Sequence, residues 1–287
     1  FAALAYMLLV EDGLASLDDP VRKHVPEMSG AVADGVTMRQ LMSHTSGLRC
    51  SLDLSMQLNG MGHFMSQADT LDLFASQDAT NFAPETAWSY NNGGYTALSV
   101  AIQRLTGQSL EDVLRERIFT PLGMSDTLLR RVDTDFVPNS ATLHMLGASG
   151  TFTKDYMGME VTGEGGMVST VDDMLRWMAH MDRPVVGTAE TWAAMKAPFM
   201  LQSGYSTRYG LGLSVGEYRG RATIEHGGTV MGGGCQMIKV LDAGLGIVIE
   251  GIEEENQAAY FLTLAPHALA QGWLFSKPVE AAKLFGS

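Results

Sequence analysis

Four short apolar stretches near the end of the chain, each cut off by a glycine-containing turn, constrain its fold more than any other feature. They span residues 209–215, 222–225, 235–241 and 245–249, and are separated by Arg219-Gly220-Arg221, by a glycine-rich loop and by Asp242-Ala243-Gly244. Runs of this length between turn residues read as strands. Connections this short cannot hold a crossover, so neighbouring strands must run antiparallel. Helical periodicity occupies other stretches, at 1–10, 71–75, 97–105 and 110–119, where Ser109 and Asp112 have capping-box spacing. Thr170 and Asp173 open a further helix that runs to about 181 and is ended by Pro184. A final amphipathic stretch at 257–271 is expected to pack back on the sheet. Helices through the middle of the chain and strands near its end predict the α+β class.

Composition narrows the function classes. With 287 residues the chain can bury a large core, and its 46% apolar and 18% charged residues are ordinary globular values. A net charge of −13 argues against nucleic acid, which needs clustered Lys and Arg. The longest apolar run, at 1–10, is too short to span a bilayer, and it lacks the basic flank and cleavage site of a signal peptide. Cys50 and Cys235 could form one disulfide, but two buried free thiols are the expectation. The seven histidines form no HExxH pattern, so we predict no metal and no cofactor.

Two tripeptides carry chemistry. Tyr90-Asn91-Asn92 lies between Trp88-Ser89 and Gly93-Gly94-Tyr95, just before the helical run at 97–105, which sets a phenol and an amide on a tight loop. His226-Gly227-Gly228 follows the strand at 222–225, and its two glycines remove side chains where a ligand backbone could lie. Three more stretches accompany them in order: Leu41-Met42-Ser43-His44-Thr45-Ser46-Gly47-Leu48, Ile118-Phe119-Thr120-Pro121-Leu122-Gly123-Met124, and the segment 165–174 that begins Gly165-Gly166-Met167.

In this order the five stretches resemble the penicillin-recognising serine hydrolases: class C β-lactamases, D-alanyl-D-alanine carboxypeptidases, related esterases and D-aminopeptidases. The resemblance covers nearly the whole chain. His226, standing where the family's Lys-Thr-Gly motif has Lys, is similar to the D-aminopeptidase pattern, as are Ser46-Gly47-Leu48-Arg49 and the pair Cys235-Gln236. The resemblance implies a β-lactamase/transpeptidase-like fold, an antiparallel sheet flanked by helices beside an all-helical lobe. On that fold the chain would be one catalytic domain, 1–287, without the family's first strands. Its helical lobe would be about 14–165, and its sheet lobe 1–13 with about 166–287.

The resemblance also implies roles. Tyr90 would be the base in acylation and would return the proton to the leaving group, which a phenol can do only beside cations that favour its ionised form. Asn92 would contact the family's Lys or the substrate amide. His226 would hydrogen-bond Tyr90 or the substrate. Gly227 and Gly228 would admit the substrate, and the backbone N–H of Thr229 would help form an oxyanion hole. The family's Ser-x-x-Lys, which supplies the nucleophile, is not in the chain: no Ser has Lys three positions later, and Thr151-Phe152-Thr153-Lys154 stands at the wrong place in the order. The stretch 1–13 resembles the helix that carries this motif, entered just after the Lys, so the chain as given is expected to be inactive alone.

Among the remaining candidates, His44 is expected to shape a turn. Glu164 would either line the cleft and attract a substrate ammonium or sit in a solvated loop. Most of the 19 Met residues should pack in the core. The implied partner is a small-molecule or short-peptide substrate. The leading reading is a serine hydrolase leaning to D-amino-acid amides and peptides. An esterase or β-lactamase of the same fold, and a noncatalytic binding or scaffold protein, are the alternatives.

Overall fold

The computed structural model describes residues 1–28, 35–59, 64–147, 149–154, 156 and 158–251. The stretch at 257–271 lies outside the described residues. Helix α1 (Ala2–Glu11) is apolar all round, and Ala2 through Leu9 are all buried, as a helix with no polar face must be. Short helices α2 (Val21–His24) and α3 (Met38–Met42) follow, then α4 (Ser51–Asn59) and α5 (Gln67–Ala75). Reciprocal capping boxes start two of them: Thr37 with Gln40 at α3, and Ser66 with Asp69 at α5. The central helix α6 (Asn92–Thr106) begins five residues before the periodicity predicted, because the Asn91 side chain caps it by accepting from Gly94 N–H. It ends at Gly107 in the left-handed conformation.

Helix α7 (Leu110–Leu114), capped by Ser109 as predicted, continues through a π-helical turn (Arg115–Phe119) into a last turn (Thr120–Leu122). Two small antiparallel ladders follow, one of β1 (Leu128–Leu129) with β4 (Met167–Val168), the other of β2 (His144–Leu146) with β3 (Phe152–Lys154). The segment 151–154, expected as a surface loop, is thus exposed but paired in a hairpin. Helix α8 (Val171–Asp182), capped by Thr170, and α9 (Ala189–Lys196) lead to the main sheet.

That sheet is a four-stranded antiparallel meander of β5 (Ser214–Tyr218), β6 (Arg221–Val230), β7 (Gly233–Val240) and β8 (Leu245–Gly251), paired in chain order. Arg219 and Gly220, both at positive φ, make the tight turn between β5 and β6. Two boundaries differ most from expectation. The first strand starts at Ser214 rather than at 209, since Gly212, at φ +77°, breaks the pleat. The second runs on through His226, Gly227 and Gly228, which had been expected to open the loop. Met178 of α8 sits over Gly246 of β8, where a Cβ would press on its Cε.

One continuous apolar cluster joins Leu4 of α1, Leu98 and Ile102 of α6, Trp177 of α8 and the inner sheet residues Ile224 and Val248. Most methionines that face inward pack there, while Met65 joins Met159 and Val161 in a smaller cluster. Cys50 is buried, as expected, but Cys235 is exposed. Its β6 neighbour is Gly228, which has no side chain to cover it.

Candidate active site

Tyr90 stands in an irregular segment strapped to the buried turn at 43–48. Four hydrogen bonds make the strap: Glu85 N–H to Thr45 O at 2.9 Å, Ser89 N–H to His44 O at 3.0 Å, Asn91 N–H to His44 Nδ1 at 3.1 Å and Asn91 Nδ2 to Leu48 O at 2.7 Å. Gly47 is required at that turn, since it has φ +73° and a Cβ would collide with the Phe82 carbonyl. His44 itself is held at φ 59°, a left-handed conformation uncommon outside glycine and strained by about 1–3 kcal/mol. The Tyr90 ring lies against the His44 ring with centroids 4.2 Å apart, yet Tyr90 remains 44% exposed. Tyr90 is therefore partly open to solvent on a fixed base, with its phenol partly desolvated.

Beneath it runs a chain of hydrogen bonds whose direction is fixed at both ends. Asn91 N–H donates to His44 Nδ1, so the neutral His44 ring carries its proton on Nε2, 3.3 Å from the Tyr209 hydroxyl oxygen. At the other end His226 Nδ1 lies 2.7 Å from the Gly227 carbonyl, which can only accept. His226 therefore carries its proton on Nδ1 and accepts at Nε2 from Tyr209 O–H, 3.1 Å away. The assignments made from each end agree. Tyr209 accepts from one histidine and donates to the other.

Of the six residues predicted for the site, Tyr90 and His226 come together, with ring centroids 6.4 Å apart, while Asn92 follows Tyr90 at the start of α6 and Gly227, Gly228 and Thr229 follow His226 along β6. Of the two partners expected for His226, Tyr90 or the substrate, Tyr90 is not bonded to it here: the His226 Nε2 is taken by Tyr209. Asn92 is the first residue of α6 rather than a loop residue, and the cap is made by its neighbour Asn91. Strand β5 pairs with β6 only as far as Glu225, whereas β7 pairs with it to Val230. Beyond Glu225, then, Gly227, Gly228 and Thr229 lie exposed on an edge of β6 that has no β5 partner.

Burial dominates the electrostatics. It pushes the Tyr90 phenol above its ordinary value, with the nearby Cys50 and Glu164 adding to the rise. It also lowers His226, and drives His44 down to about 3, the neighbouring His226 contributing. Both imidazoles are thus neutral at pH 7, in keeping with the proton positions above. A basic phenol at Tyr90 needs a cation that neither histidine supplies. Among the described residues no three His, Cys, Asp or Glu side chains gather as a metal site. Nor is any helix there long and apolar enough to cross a membrane.

His44, Asn91 and Tyr209 were not among the predicted site residues. The available signal was a run of polar residues around Gly47, Ser43 to Ser46, which the fold buries almost completely. For Tyr209 the flag was an aromatic residue followed by the spaced glycines Gly210 and Gly212.

Comparison with known proteins gives the family and the fold. Residues 1–250 match the Beta-lactamase family. The D-aminopeptidase of Brucella canis is 28% identical over 250 residues, a region covering 85% of this chain and 46% of the relative, so the chain spans a little under half the relative's length. The solved penicillin binding protein from Bacillus halodurans is similar with a TM-score of 0.79 at 20% identity, over 93% of this chain and 82% of its own. The D-amino acid amidase from Ochrobactrum anthropi complexed with L-phenylalanine gives a TM-score of 0.78 at 22% identity, over 100% of this chain and 82% of its own. These structural likenesses establish the β-lactamase/transpeptidase-like α+β fold. With the match extending over residues 1–250, the chain belongs to the Beta-lactamase family.

Proposed function

We propose that these residues serve a serine hydrolase that works through an acyl-enzyme on an amide, peptide or ester, with a lean toward amides and peptides of D-amino acids. The observation that carries the reading is the placement of a partly exposed tyrosine, Tyr90, within 6.4 Å of the His226 ring at the point where an edge of β6 opens. The nucleophilic Ser and the Lys would come from a Ser-x-x-Lys segment outside the sequence given. In acylation Tyr90 takes the Ser proton and returns it to the leaving amine or alkoxide. The cation that makes this possible is the Lys, because His226 is neutral and engaged with Tyr209. Asn92 contacts that Lys or the substrate amide. The substrate backbone lies along Gly227 and Gly228, and Thr229 N–H joins the nucleophile's own N–H in the oxyanion hole.

Similarity to a D-aminopeptidase supports the lean toward D-amino acids. One observation favours a second reading, a noncatalytic binding protein on this fold: the Tyr90 phenol is pushed up and no described cation offsets it. The test is to express the complete reading frame that contains these residues and treat it with a fluorescent β-lactam or phosphonate. Labelling is expected; absence of labelling, with no Ser-x-x-Lys upstream, refutes the enzyme. D-alanine p-nitroanilide, a short-chain p-nitrophenyl ester and nitrocefin should then be compared, and hydrolysis of the ester alone refutes the D-amino-acid lean.

A further inference from the structure

The sequence Gly163-Glu164-Gly165-Gly166 presents one side chain in four residues, and the fold fixes where it points from. Gly163 packs on the carbonyl of Tyr95 so closely that a Cβ would collide with it. One residue earlier, the Thr162 hydroxyl is 2.9 Å from that of Ser99. On the other side, Gly166 takes φ +76° and its carbonyl accepts from Arg130 N–H at 2.8 Å. The loop is therefore bolted to α6, the helix that starts at Asn92. Glu164 accepts from Thr162 N–H at 3.3 Å and from its hydroxyl at 3.4 Å, with a further bond from the Thr96 hydroxyl. Thr96 is one turn beyond Asn92 on the same helix, and residues four apart share a face.

Glu164 is half-buried and near enough to Tyr90 for its charge to act on the phenol, and no described cation pairs with it. Burial without a counter-ion raises the Glu164 carboxyl. A carboxylate fixed by hydrogen bonds from Thr162 and Thr96, one turn along the helix that starts at Asn92, with its charge uncompensated and acting on the Tyr90 phenol, is complementary to an ammonium group. We propose that Glu164 is the subsite for the free ammonium of the substrate, so that the preferred substrates are amides and peptides whose amino end is unblocked. This rests on the hydrolase reading for its substrate chemistry but makes a separate claim about binding. An ammonium bound there also cancels the negative field that Glu164 places on Tyr90, so unblocked substrates gain in acylation as well as in affinity.

The experiment uses the complete protein, its Glu164→Gln form and Glu164→Asp. Gln keeps an acceptor for Thr162 and Thr96, so the loop should hold, and thermal melting checks that it does. Calorimetry with D-alaninamide against N-acetyl-D-alaninamide is expected to show about a 30-fold preference for the free amine, the scale of a partly desolvated charge pair. That preference should fall to within about 3-fold in Glu164→Gln and be kept in part by Glu164→Asp. Turnover of D-alanine p-nitroanilide against its N-acetyl derivative should follow the same pattern. Hydrolysis with an unchanged ratio in Glu164→Gln, or an equal loss for both probes, overturns the ammonium subsite and leaves the hydrolase intact. A binding preference that vanishes in Glu164→Gln without any turnover overturns the hydrolase and leaves the subsite. Failure to bind or turn over either probe overturns both.

Discussion

Replacing Tyr209 with Phe removes one oxygen and no carbon, so its effect reads the hydrogen-bond chain rather than a cavity. Both histidines lose their bonds, and the Tyr95 hydroxyl loses its link to Tyr209 as well. His44 Nε2–H, in a residue only 1% exposed, is left with no acceptor, and an unsatisfied buried donor costs about 1–3 kcal/mol. His226 Nε2 loses a donor at 3.1 Å; because water can reach a half-buried ring, this loss is roughly 0.5–1.5 kcal/mol. Together the change should destabilise the protein by about 2–4 kcal/mol and lower Tm by roughly 5–15 °C. Urea denaturation and calorimetry measure the first effect. Nitrogen-edited NMR of the imidazoles measures the second: the parent protein should show a neutral His44 protonated at Nε2 and a neutral His226 protonated at Nδ1. In Tyr209→Phe both ring signals should move. A loss below about 0.5 kcal/mol with both imidazoles unchanged refutes the chain.

Acid should weaken the fold through His44. The unfolded ring takes a proton near 6.5 and the folded one only near 3; between them the unfolded state binds more protons, so stability present above 6.5 is lost as pH falls toward 3, by up to about 5 kcal/mol. Denaturation midpoints at pH 4 and 7 check this, and replacing His44 should flatten the difference. Gly163→Ala would drive a Cβ into the Tyr95 carbonyl, so we expect a loss of several kcal/mol together with loss of any free-amine preference, seen by melting and calorimetry. Tyr90→Phe touches a side chain 44% exposed, so stability should change by less than about 1 kcal/mol while labelling of the complete protein by a β-lactam slows by about 100-fold or more.

The sheet was legible because its information is local. Arg219-Gly220 and Asp242-Ala243-Gly244 encode turns within a few residues, and the alternation between them fixes which side faces the core. Helix starts at Ser109 and Thr170 were legible for the same reason, as a cap and its partner lie three residues apart. The β6 extension was missed because two consecutive glycines weigh against a strand until a neighbour pairs with them, and β7 does so along their whole length. Asn91 was overlooked beside Asn92 because the two amides differ only in which one the helix start selects. The chain through His44, Tyr209 and His226 was out of reach for another reason: its members are 165 and 17 residues apart in sequence, and nothing local relates them.

The apolar cluster shared by α1, α6, α8 and the sheet also bears on how the cleft operates. A Cβ added to Gly212 would meet both Ala3 of α1 and the Tyr95 hydroxyl at 3.0 Å, and α1, α6 and the sheet share one buried cluster, so the segment bearing Tyr90 and the strand bearing His226 rest on the same foundation. Two elements on one foundation cannot rock apart like hinged shells without tearing that core open. The two sides are accordingly expected to shift together, and Trp88, whose ring lies 6.1 Å from that of His44 and 5.8 Å from that of Tyr209, shares their support.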